Sequence, residues 1–516
     1  MPNVARRYIL IVAVLALLTI PLTAQDVASF EKRVTVKKLS NGLTLIICNR
    51  PEAPVFSFFT LVDAGSANDP QGETGLAHMF EHMAFKGTDK IGTNNYAAEK
   101  LALEKVEQAY AAYNAERLKT IGRDEKKLAE LHKAWQDSMA AADKYVVQAE
   151  FDRIIEENGG VGMNAFTSED ETGYFYSMPV NRLQLWAYLE SARYTRPVFR
   201  EFYKERDVVI EERRMRIDSN PIGRLIEQFQ SQAFIAHPYH RPGVGWMSDL
   251  QNFSATDAKR FYETYYVPNN MYIAVVGDVS GPQILPMLEK YFSQLPTRPA
   301  PPKIITVEPP QNSERRVQIQ DPSQPFFIEA YHRPDMRDPD DAVYDVISDL
   351  LSEGRTSRLF RSLVRDKKIA AEAAGFSGLP GSKYPHLFAL YAVPTPGHTP
   401  KELQEAIEAE VSRLKTQDVS ADELQMVKTR AKARLIRSLN DNEGLAQNLA
   451  TMQARYGDWR ELFRQVDRID KVTAADVKRV AQKTFTDNNR TVGIILNQSA
   501  TAAPKPGQPQ SQGEQQ

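Results

Sequence analysis

A chain of 516 residues is too long to fold around one hydrophobic core, and its 42% hydrophobic and 25% charged residues are typical of a globular protein with two or more domains. Its 64 basic residues nearly balance its 66 acidic residues, which gives a formal net charge of −2. Because no excess of positive charge is available to gather phosphates, the composition argues against a nucleic-acid-binding protein.

The N-terminal segment has the pattern of a secretory signal peptide. Arg6 and Arg7 precede an apolar run at residues 8–22, and the small residue Ala24 closes the segment. We predict that residues 1–24 are a signal peptide, that cleavage leaves no membrane span, and that the protein is exported, to a bacterial periplasm. The alternative is an uncleaved N-terminal anchor.

The single cysteine, Cys48, lies in the apolar, strand-like segment 43–48, so no intramolecular disulfide can form. We expect its side chain to behave as a small buried hydrophobic group. No cysteine lies near the end of the signal peptide, so a lipid anchor is not expected and a soluble exported protein is favoured.

The next segment predicts a strand followed by a helix that carries two histidines. Residues 56–62 are predicted to form a strand, and a loop leads from it into a helix whose apolar side chains recur at helical spacing. Those side chains are Leu76, Met79, Phe80 and Met83. With this stripe facing the core, His78, Glu81 and His82 occupy a neighbouring face of the helix.

The motif His78-Met79-Phe80-Glu81-His82 is the pattern of an inverted zinc-hydrolase site. Imidazoles at i and i+4 can hold one Zn²⁺, while the carboxylate of Glu81 stays free to take a proton from metal-bound water. The pattern therefore predicts zinc-dependent hydrolysis of peptide bonds. The alternative, in which the two imidazoles are ordinary surface or core polar groups, stays open at this point.

Residues 96–158 are rich in Ala, Glu, Lys and Leu at helical spacing, with one break at residues 121–123. This composition predicts two long antiparallel helices. We interpret them as a solvated helical hairpin that has no chemistry of its own.

A hydrolytic zinc site needs a third protein ligand and an open position for water. The helical segment 205–215 offers a candidate, because Glu205 and Glu212 are close to two turns apart and project from nearly the same face, whereas Glu211 points about 100° away. We predict that Glu212 is the ligand and that Glu205 orients a histidine. The alternative is a charge-rich helix that simply faces solvent.

The two halves of the chain look like copies of each other. Asp257 and Asn270 near the end of the first half are 13 residues apart, as are Asp476 and Asn489 in the second (270 − 257 = 489 − 476 = 13), and the residues around each pair are similar. In each half, strand-like runs alternate with amphipathic helices. The predicted fold class is α+β, with two homologous α+β domains and a long helical hairpin inserted in the first.

The predicted domain boundaries follow from this repeat and from composition. After the signal peptide we expect a zinc-binding catalytic domain at residues 25–295, with the insertion at about 96–158, and a homologous domain without zinc at residues 313–498. The proline-rich stretch 296–312 is a semi-rigid linker. Residues 499–516 have too little apolar surface to fold and are predicted to be disordered.

These motifs resemble the pitrilysin, insulinase and mitochondrial processing peptidase family of zinc metallopeptidases, over nearly all of the mature chain. The segments that carry the resemblance are Gly75 to Thr88, Asn164-Ala165-Phe166-Thr167, Val208-Val209-Ile210-Glu211-Glu212, His237-Pro238-Tyr239 and Ser357-Arg358-Leu359-Phe360.

The resemblance implies a zinc-dependent endopeptidase with one Zn²⁺ per chain. It implies that His78, His82 and Glu212 bind the metal, that Glu81 is the base, and that Glu205 is the carboxylate behind the ligands. It also implies that Asn164 and Ala165 lie on a sheet edge that holds an extended substrate by strand addition, which favours unfolded or short peptides.

The chain departs from the family pattern in two ways. Between His82 and Glu212 lie 129 residues (212 − 82 − 1), more than the family usually has, and the inserted hairpin accounts for the excess. The family also has an Arg and, seven residues on, a Tyr in the non-zinc domain, which help to bind the substrate.

The positions that match this pair are Val364 and Ala371, and a shift by one gives Arg365 but then Glu372. Neither register supplies the pair. We therefore expect a heterodimer, in which a homologous subunit without the zinc motif contributes the Arg and the Tyr; a homodimer is the alternative.

Two other functions compete with the peptidase. The chain could be a non-catalytic structural or assembly subunit of a processing-peptidase-like complex, or a module that binds extended peptides without cutting them. The intact set of His78, Glu81, His82 and Glu212 favours the enzyme. No specificity motif identifies the substrate sequence.

Overall fold

The computed structural model describes residues 30–497. The predicted signal peptide, residues 1–24, and the predicted disordered tail, residues 499–516, lie outside the described residues. Within residues 30–497, no helix is both long and apolar enough to cross a membrane.

The first half of the chain builds a six-stranded sheet with the strand order β1-β2-β6-β3-β5-β4. Its strands are β1 (Val34–Lys38), β2 (Thr44–Asn49), β3 (Val55–Val62), β4 (Val161–Thr167), β5 (Thr172–Pro179) and β6 (Met271–Gly277). Strands β2 and β6 run parallel, and the other neighbours are antiparallel. The predicted strand at residues 56–62 is β3, one of the two central strands, and β4 forms one edge.

The second half builds a five-stranded sheet with the order β7-β11-β8-β10-β9. Its strands are β7 (Arg315–Asp321), β8 (Phe326–Arg333), β9 (Ala370–Leu379), β10 (His386–Pro394) and β11 (Arg490–Asn497). Without β1, the first sheet repeats this order strand for strand, and the parallel pair β7 and β11 corresponds to β2 and β6. The predicted fold class, two homologous α+β domains, is confirmed.

The helices of the first half are α1 (Leu76–Met83), α2 (Tyr96–Arg117), α3 (Glu125–Asp143), α4 (Glu150–Glu157), α5 (Leu183–Thr195), α6 (Phe202–Arg213), α7 (Pro221–Ala233), α8 (Met247–Leu250), α9 (Ala255–Tyr265) and α10 (Gly281–Phe292). Those of the second half are α11 (Asp341–Ser352), α12 (Pro400–Thr416), α13 (Ala421–Ser438), α14 (Asn442–Tyr456), α15 (Glu461–Lys471) and α16 (Ala474–Thr484). A π-helical turn, Arg214–Asp218, extends α6.

One helix of each half packs on the sheet of the other half. Helix α14 packs on β3 and β6, where Leu445 and Leu449 are buried in one cluster with Phe59 of the first sheet. Helix α7 packs on β7 and β11, where Phe229 is buried in one cluster with Ile328 of the second sheet. Because burial of apolar surface is the main stabilising term, the two halves stabilise each other.

The chain between α10 and β7 has no regular secondary structure. It is nevertheless tied to the first half, because the Glu308 carboxylate accepts hydrogen bonds of 2.9 Å from the backbone N–H groups of Ile235, Ala236 and His237. The domain boundaries and the linker at residues 296–312 stay predictions.

The inserted hairpin consists of α2 and α3, which pack against each other. The interpretation of this hairpin as solvated is wrong for one face: Val106, Tyr110 and Trp135 are at most 7% exposed and belong to the core cluster of the first half. These three residues are separated by Ala, Lys and Glu, so the sequence shows no continuous apolar stripe. Their burial results from packing against the rest of the first half. Cys48 on β2 is buried, as predicted.

Candidate metal centre

The position just before helix α1 requires glycine. Gly75 has φ +97°, and a Cβ there would lie 2.8 Å from the backbone oxygen of Val244. The Asp69 side chain accepts hydrogen bonds from the N–H groups of Gly75, at 2.7 Å, and Ala77, at 2.9 Å, so it caps the first turn of the helix. This start and the buried stripe, which packs as predicted, fix the direction in which the histidines project.

Three candidate ligands meet between α1 and α6. One ligand atom from each of His78, His82 and Glu212 lies within 4.8 Å of the other two. Oε2 of Glu212 is 3.5 Å from Nε2 of His78 and 3.3 Å from Nε2 of His82. Tetrahedral bonds of about 2.0–2.1 Å place neighbouring donor atoms about 3.3 Å apart, so these donors fit a zinc ion.

The protonation state of His78 also suits a cation. Burial lowers the pKa of His78 to about 4, so its ring is neutral near neutral pH and offers a lone pair. Burial acts in the same direction on His82, but the hydrogen bond with Glu205 and the charge of Glu212 outweigh it and raise the pKa of that ring. The buried Nδ1 of His78 has no hydrogen-bond partner within residues 30–497, so Nε2 is its only atom with an anionic neighbour.

The structure brings Glu205 next to His82, as predicted. Its Oε2 lies 3.5 Å from Nδ1 of His82, the ring atom that faces away from Glu212, and its Oε1 lies 2.5 Å from Nζ of Lys86. Burial raises the pKa of Glu205, but the hydrogen bonds with His82 and Lys86 outweigh it and lower that pKa. A carboxylate in this position orients the imidazole ring and makes it a stronger ligand.

Two cationic side chains at the site, those of Arg216 and Lys86, were not predicted from the sequence. Nη2 of Arg216 lies 2.6 Å from Oε1 of Glu212. One carboxylate oxygen of Glu212 therefore binds the guanidinium group, and the other faces the two imidazoles. The i, i+4 spacing of Glu212 and Arg216 is a sequence signal that could have found this pair. Lys86 carries no such signal, because its partner Glu205 is far away in the sequence and meets it only in the folded chain.

Glu81 lies on α1 but outside the set of three ligands. Burial raises the pKa of Glu81, and a hydrogen bond from the hydroxyl of Thr167 on β4 partly offsets this. The side chain lines a cavity of about 350 Å³. Glu81 therefore combines access to a cavity with a shifted pKa, as expected of a group that exchanges protons.

Asn164 and Ala165 lie on β4 and line the same cavity as Glu81. Strand β4 pairs with β5 on one side and has no neighbouring strand on the other within residues 30–497. Asn164 is exposed, and its Oδ1 accepts a hydrogen bond of 2.9 Å from the N–H of Ala165. The structure thus brings both residues to a sheet edge beside Glu81, while their role in substrate binding stays a prediction.

Among residues 30–497, the second half contributes no side chain to the cavity at Glu81, which is lined by residues of the first half. Val364 packs against the core of the second half, and Ala371 is exposed on β9. In the shifted register, Arg365 pairs with Asp366, and Glu372 accepts a hydrogen bond from the hydroxyl of Tyr391. Neither register brings an Arg and a Tyr to the candidate metal centre.

Two family models match the chain. The model described as Insulinase (Peptidase family M16) matches residues 45–117, which include the histidine motif. The model described as Peptidase M16 inactive domain matches residues 252–431, which begin before α9 and end in α13.

Several relatives match almost the full length of the chain. The zinc protease PqqE of Helicobacter pylori is 28% identical over 479 residues, which are 92% of this chain and 94% of that protein. A probable mitochondrial-processing peptidase subunit beta of Arabidopsis thaliana is 23% identical over 90% of this chain and 78% of its own length. An uncharacterised zinc protease of Mycobacterium leprae is 24% identical over 94% of this chain and 96% of its own.

Solved structures share the fold. The crystal structure of a protease from Helicobacter pylori has a TM-score of 0.75 and 27% sequence identity, over 90% of this chain and 99% of that one. The periplasmic protease PqqL from Escherichia coli, at 20% identity, has a TM-score of 0.66 over 91% of this chain and 48% of its own. These matches confirm the predicted family: the chain belongs to the insulinase family of peptidases, family M16, whose members also include pitrilysin and the mitochondrial processing peptidase.

Proposed function

We propose that this protein is a zinc-dependent endopeptidase that hydrolyses extended or unfolded peptides. In this proposal His78, His82 and Glu212 hold one Zn²⁺ per chain, and Glu81 is the base that activates water. The observation that carries it is the convergence of three ligand atoms within 4.8 Å of one another, next to a carboxylate that is not one of them. The relatives named zinc proteases support the same chemistry.

Each side chain has one task in the reaction. A Zn²⁺ held by His78, His82 and Glu212 would supply Lewis-acid chemistry, which would lower the pKa of water and polarise the scissile carbonyl. Glu81 accepts the proton of the attacking water and delivers it to the amide nitrogen as the C–N bond breaks. Glu205 orients the ring of His82.

The edge strand β4 is the proposed substrate platform. A peptide that adds to this edge as a further strand is held by main-chain hydrogen bonds, so its backbone must be extended and unpaired. Asn164 and Ala165 connect the edge to the cavity that contains Glu81, and a peptide bound there runs past the base. This geometry favours short or unfolded peptides over folded proteins.

We infer that a homologous subunit completes the site. Of the residues that the structure describes, those of the first half line the cavity at Glu81, and Val364 and Ala371 occupy the positions of the Arg and Tyr that the family pattern contains. A heterodimer with a subunit that carries this pair supplies the missing donors, and a homodimer is the alternative. From the pattern at residues 1–24 we also infer export to the periplasm, with an uncleaved anchor as the alternative.

Peptide cleavage and metal content together test the proposal. The purified chain is assayed on a library of quenched fluorescent peptides, alone and with its candidate partner, while zinc is measured by elemental analysis. We expect one zinc per chain, internal cleavage that a chelator abolishes and zinc restores, and faster cleavage in the presence of the partner. Full activity of the chain alone would argue against the heterodimer and for a homodimer.

The competing functions give different results in the same assay. A chain that binds peptides with no product in the presence of zinc and partner is a peptide-binding module. A chain that neither binds nor cuts peptides is a structural subunit. Either result rejects the peptidase, even if zinc is present.

A further inference from the structure

We propose that the cavity between the inserted hairpin and α6 is a subsite for a carboxylate of the peptide substrate, and that Arg117 and Arg206 bind this group. The inference rests on the proposed peptidase function and adds a substrate class: peptides that carry a carboxylate about three or four residues from the cleaved bond. It also assigns the insertion a role in recognition, because Arg117 lies on α2.

The location of this cavity is the first step. It has a volume of about 930 Å³, with Tyr113 and Trp135 of the hairpin on one side and α6 with its π-helical turn on the other. We call it the insertion cavity. Glu212 lines it as well, and Oε2 of Glu212 lies 3.3 Å from Nε2 of His82, so the insertion cavity extends to the candidate metal centre.

Two guanidinium groups line the insertion cavity and are anchored to the same short segment. Arg117 donates a hydrogen bond of 3.3 Å to the backbone oxygen of Gln251, and Arg206 donates one of 3.2 Å to the backbone oxygen of Phe253. Because these acceptors are two residues apart in the chain, the guanidinium groups are held close together.

Neither guanidinium group forms an ion pair within residues 30–497. Arg117 donates its other hydrogen bonds to the side chains of Asn114 and Asn252, and Arg206 donates one to the hydroxyl of Tyr110. Nη1 of Arg117 and Nη2 of Arg206 make no hydrogen bond in this part of the chain, and neither atom is sealed from solvent. Two neighbouring positive charges repel each other, and a carboxylate that accepts hydrogen bonds from both groups offsets this repulsion.

The other charged side chains leave the insertion cavity with an excess of positive charge. Most of them form ion pairs: Lys204 with Asp143, Arg214 with Glu211, and Arg216 with Glu212. Asp207 is exposed and forms no ion pair within the described residues. Two unpaired cations thus face one unpaired anion, which favours an anionic ligand over a cationic one.

An aromatic wall lies beside these charges. The rings of Tyr113 and Trp135 stack with centroids 5.3 Å apart, and both line the insertion cavity. Val208 of α6, which is 49% exposed, lines it too. Because burial of apolar surface stabilises a bound side chain, the insertion cavity suits a peptide segment in which an apolar residue lies next to the carboxylate.

The spacing along α6 sets the position of the carboxylate in the substrate. Arg206 precedes Glu212 by six residues (212 − 206), which span about 9 Å of helix. An extended peptide covers this distance in about three residues. The carboxylate therefore belongs to the third or fourth residue from the cleaved bond, as the C-terminus of a short peptide or as an acidic side chain of a longer one.

Cleavage-site mapping is the first test. The protein, with its partner if the partner is needed for activity, digests a mixture of peptides, and mass spectrometry identifies the cleaved bonds. We expect enrichment of bonds that lie three or four residues from a free C-terminus or from an acidic side chain. Amidation of that C-terminus, or exchange of that acidic residue for its amide, should lower kcat/KM about 10- to 100-fold and so identifies the source of the carboxylate.

Binding assays with variants are the second test. The anisotropy of a fluorescein-labelled peptide with the carboxylate is measured on the Glu81→Gln protein, which should not cut it. Adding Arg117→Gln should weaken binding about 10- to 100-fold, while the amidated peptide binds as before. Adding Asp207→Asn should strengthen binding. Arg123→Gln is the matched control on the hairpin, because Arg123 pairs with Glu125 and does not line the insertion cavity.

The two proposals fail in different ways. Equal binding of the carboxylate and the amidated peptide, or an equal loss of both in Arg117→Gln, overturns the inference while the peptidase stands. Carboxylate-dependent binding that Arg117→Gln abolishes, without cleavage of any peptide by the unmodified protein, rejects the peptidase and leaves the carboxylate site in place.

Discussion

Arg206 on α6 donates a hydrogen bond of 2.9 Å to the hydroxyl of Tyr110 on α2 and so joins the inserted hairpin to the helix that carries Glu205 and Glu212. The ring of Tyr110 also packs against Tyr203 of α6, with centroids 4.4 Å apart, and against Trp135 of α3 at 5.2 Å. The ligand helix is thus supported on its back face by the insertion. Its front face presents the two carboxylates to α1.

Truncation of this contact should destabilise the protein. Tyr110 is 2% exposed, so Tyr110→Ala removes a packed aromatic ring and should lower the free energy of unfolding by about 3–5 kcal/mol. Urea denaturation, followed by tryptophan fluorescence, measures the loss. The control is Leu101→Ala on the same helix, where the side chain is 61% exposed and the expected change is within about 0.5 kcal/mol. Equal losses in both variants would show that the hairpin does not support α6.

Substitution of the base should separate turnover from metal binding. Glu81→Gln keeps the shape of the side chain and leaves the three ligand atoms in place, so zinc content should stay at one ion per chain. Turnover should fall about 10²- to 10⁴-fold, because the variant cannot accept a proton. Elemental analysis and peptide hydrolysis measure the two effects. Loss of zinc in Glu81→Gln, or retention of zinc in His82→Ala, would contradict the assigned roles.

The carboxylate behind the ligands should tune zinc affinity. Glu205→Gln removes the charge next to Nδ1 of His82 and should weaken zinc binding about 10- to 100-fold. Competition with a fluorescent chelator measures the dissociation constant. Glu211→Gln is the matched control on the same helix, because Glu211 is 62% exposed at its side chain and pairs with Arg214. The role of Glu205 is excluded if both variants bind zinc equally.

The single thiol should report unfolding. Burial raises the pKa of Cys48 from 9.0 to about 11, so in the folded protein at pH 8 about one thiol in a thousand is ionised. We expect no reaction with an aromatic disulfide reagent under native conditions and rapid reaction in urea. Fast labelling of the folded protein would show that β2 is accessible.

The raised pKa of Cys48 also predicts that the free energy of unfolding depends on pH. The folded state keeps the Cys48 proton that the unfolded state releases above pH 9, so stability should fall as the pH rises from about 9 to about 11. Cys48→Ala should remove this part of the slope, and denaturation at several pH values measures it. Other groups that titrate in this range act on both proteins and cancel in the comparison.

Much of the fold could be predicted from the sequence. The strand at residues 56–62, the stripe of α1 and the repeat around Asn270 and Asn489 are local or periodic patterns, and they suffice for two α+β domains. The packing of α7 and α14 on the sheets of the opposite halves could not be predicted, because the apolar face of a helix carries no information about which sheet covers it. The burial of one face of the hairpin could not be predicted either, because Tyr110 and Trp135 are too few to form an apolar stripe.

The sequence by itself determined that His78 and His82 share one face of a helix with Glu81 beside them, because a helix holds residues four apart on one face whatever surrounds it. Only the tertiary structure decided that Glu212 meets them, since the packing of α1 against α6 sets a distance that no spacing across 129 residues defines. Local geometry follows from the covalent chain, whereas the meeting of distant side chains depends on how the whole core is packed.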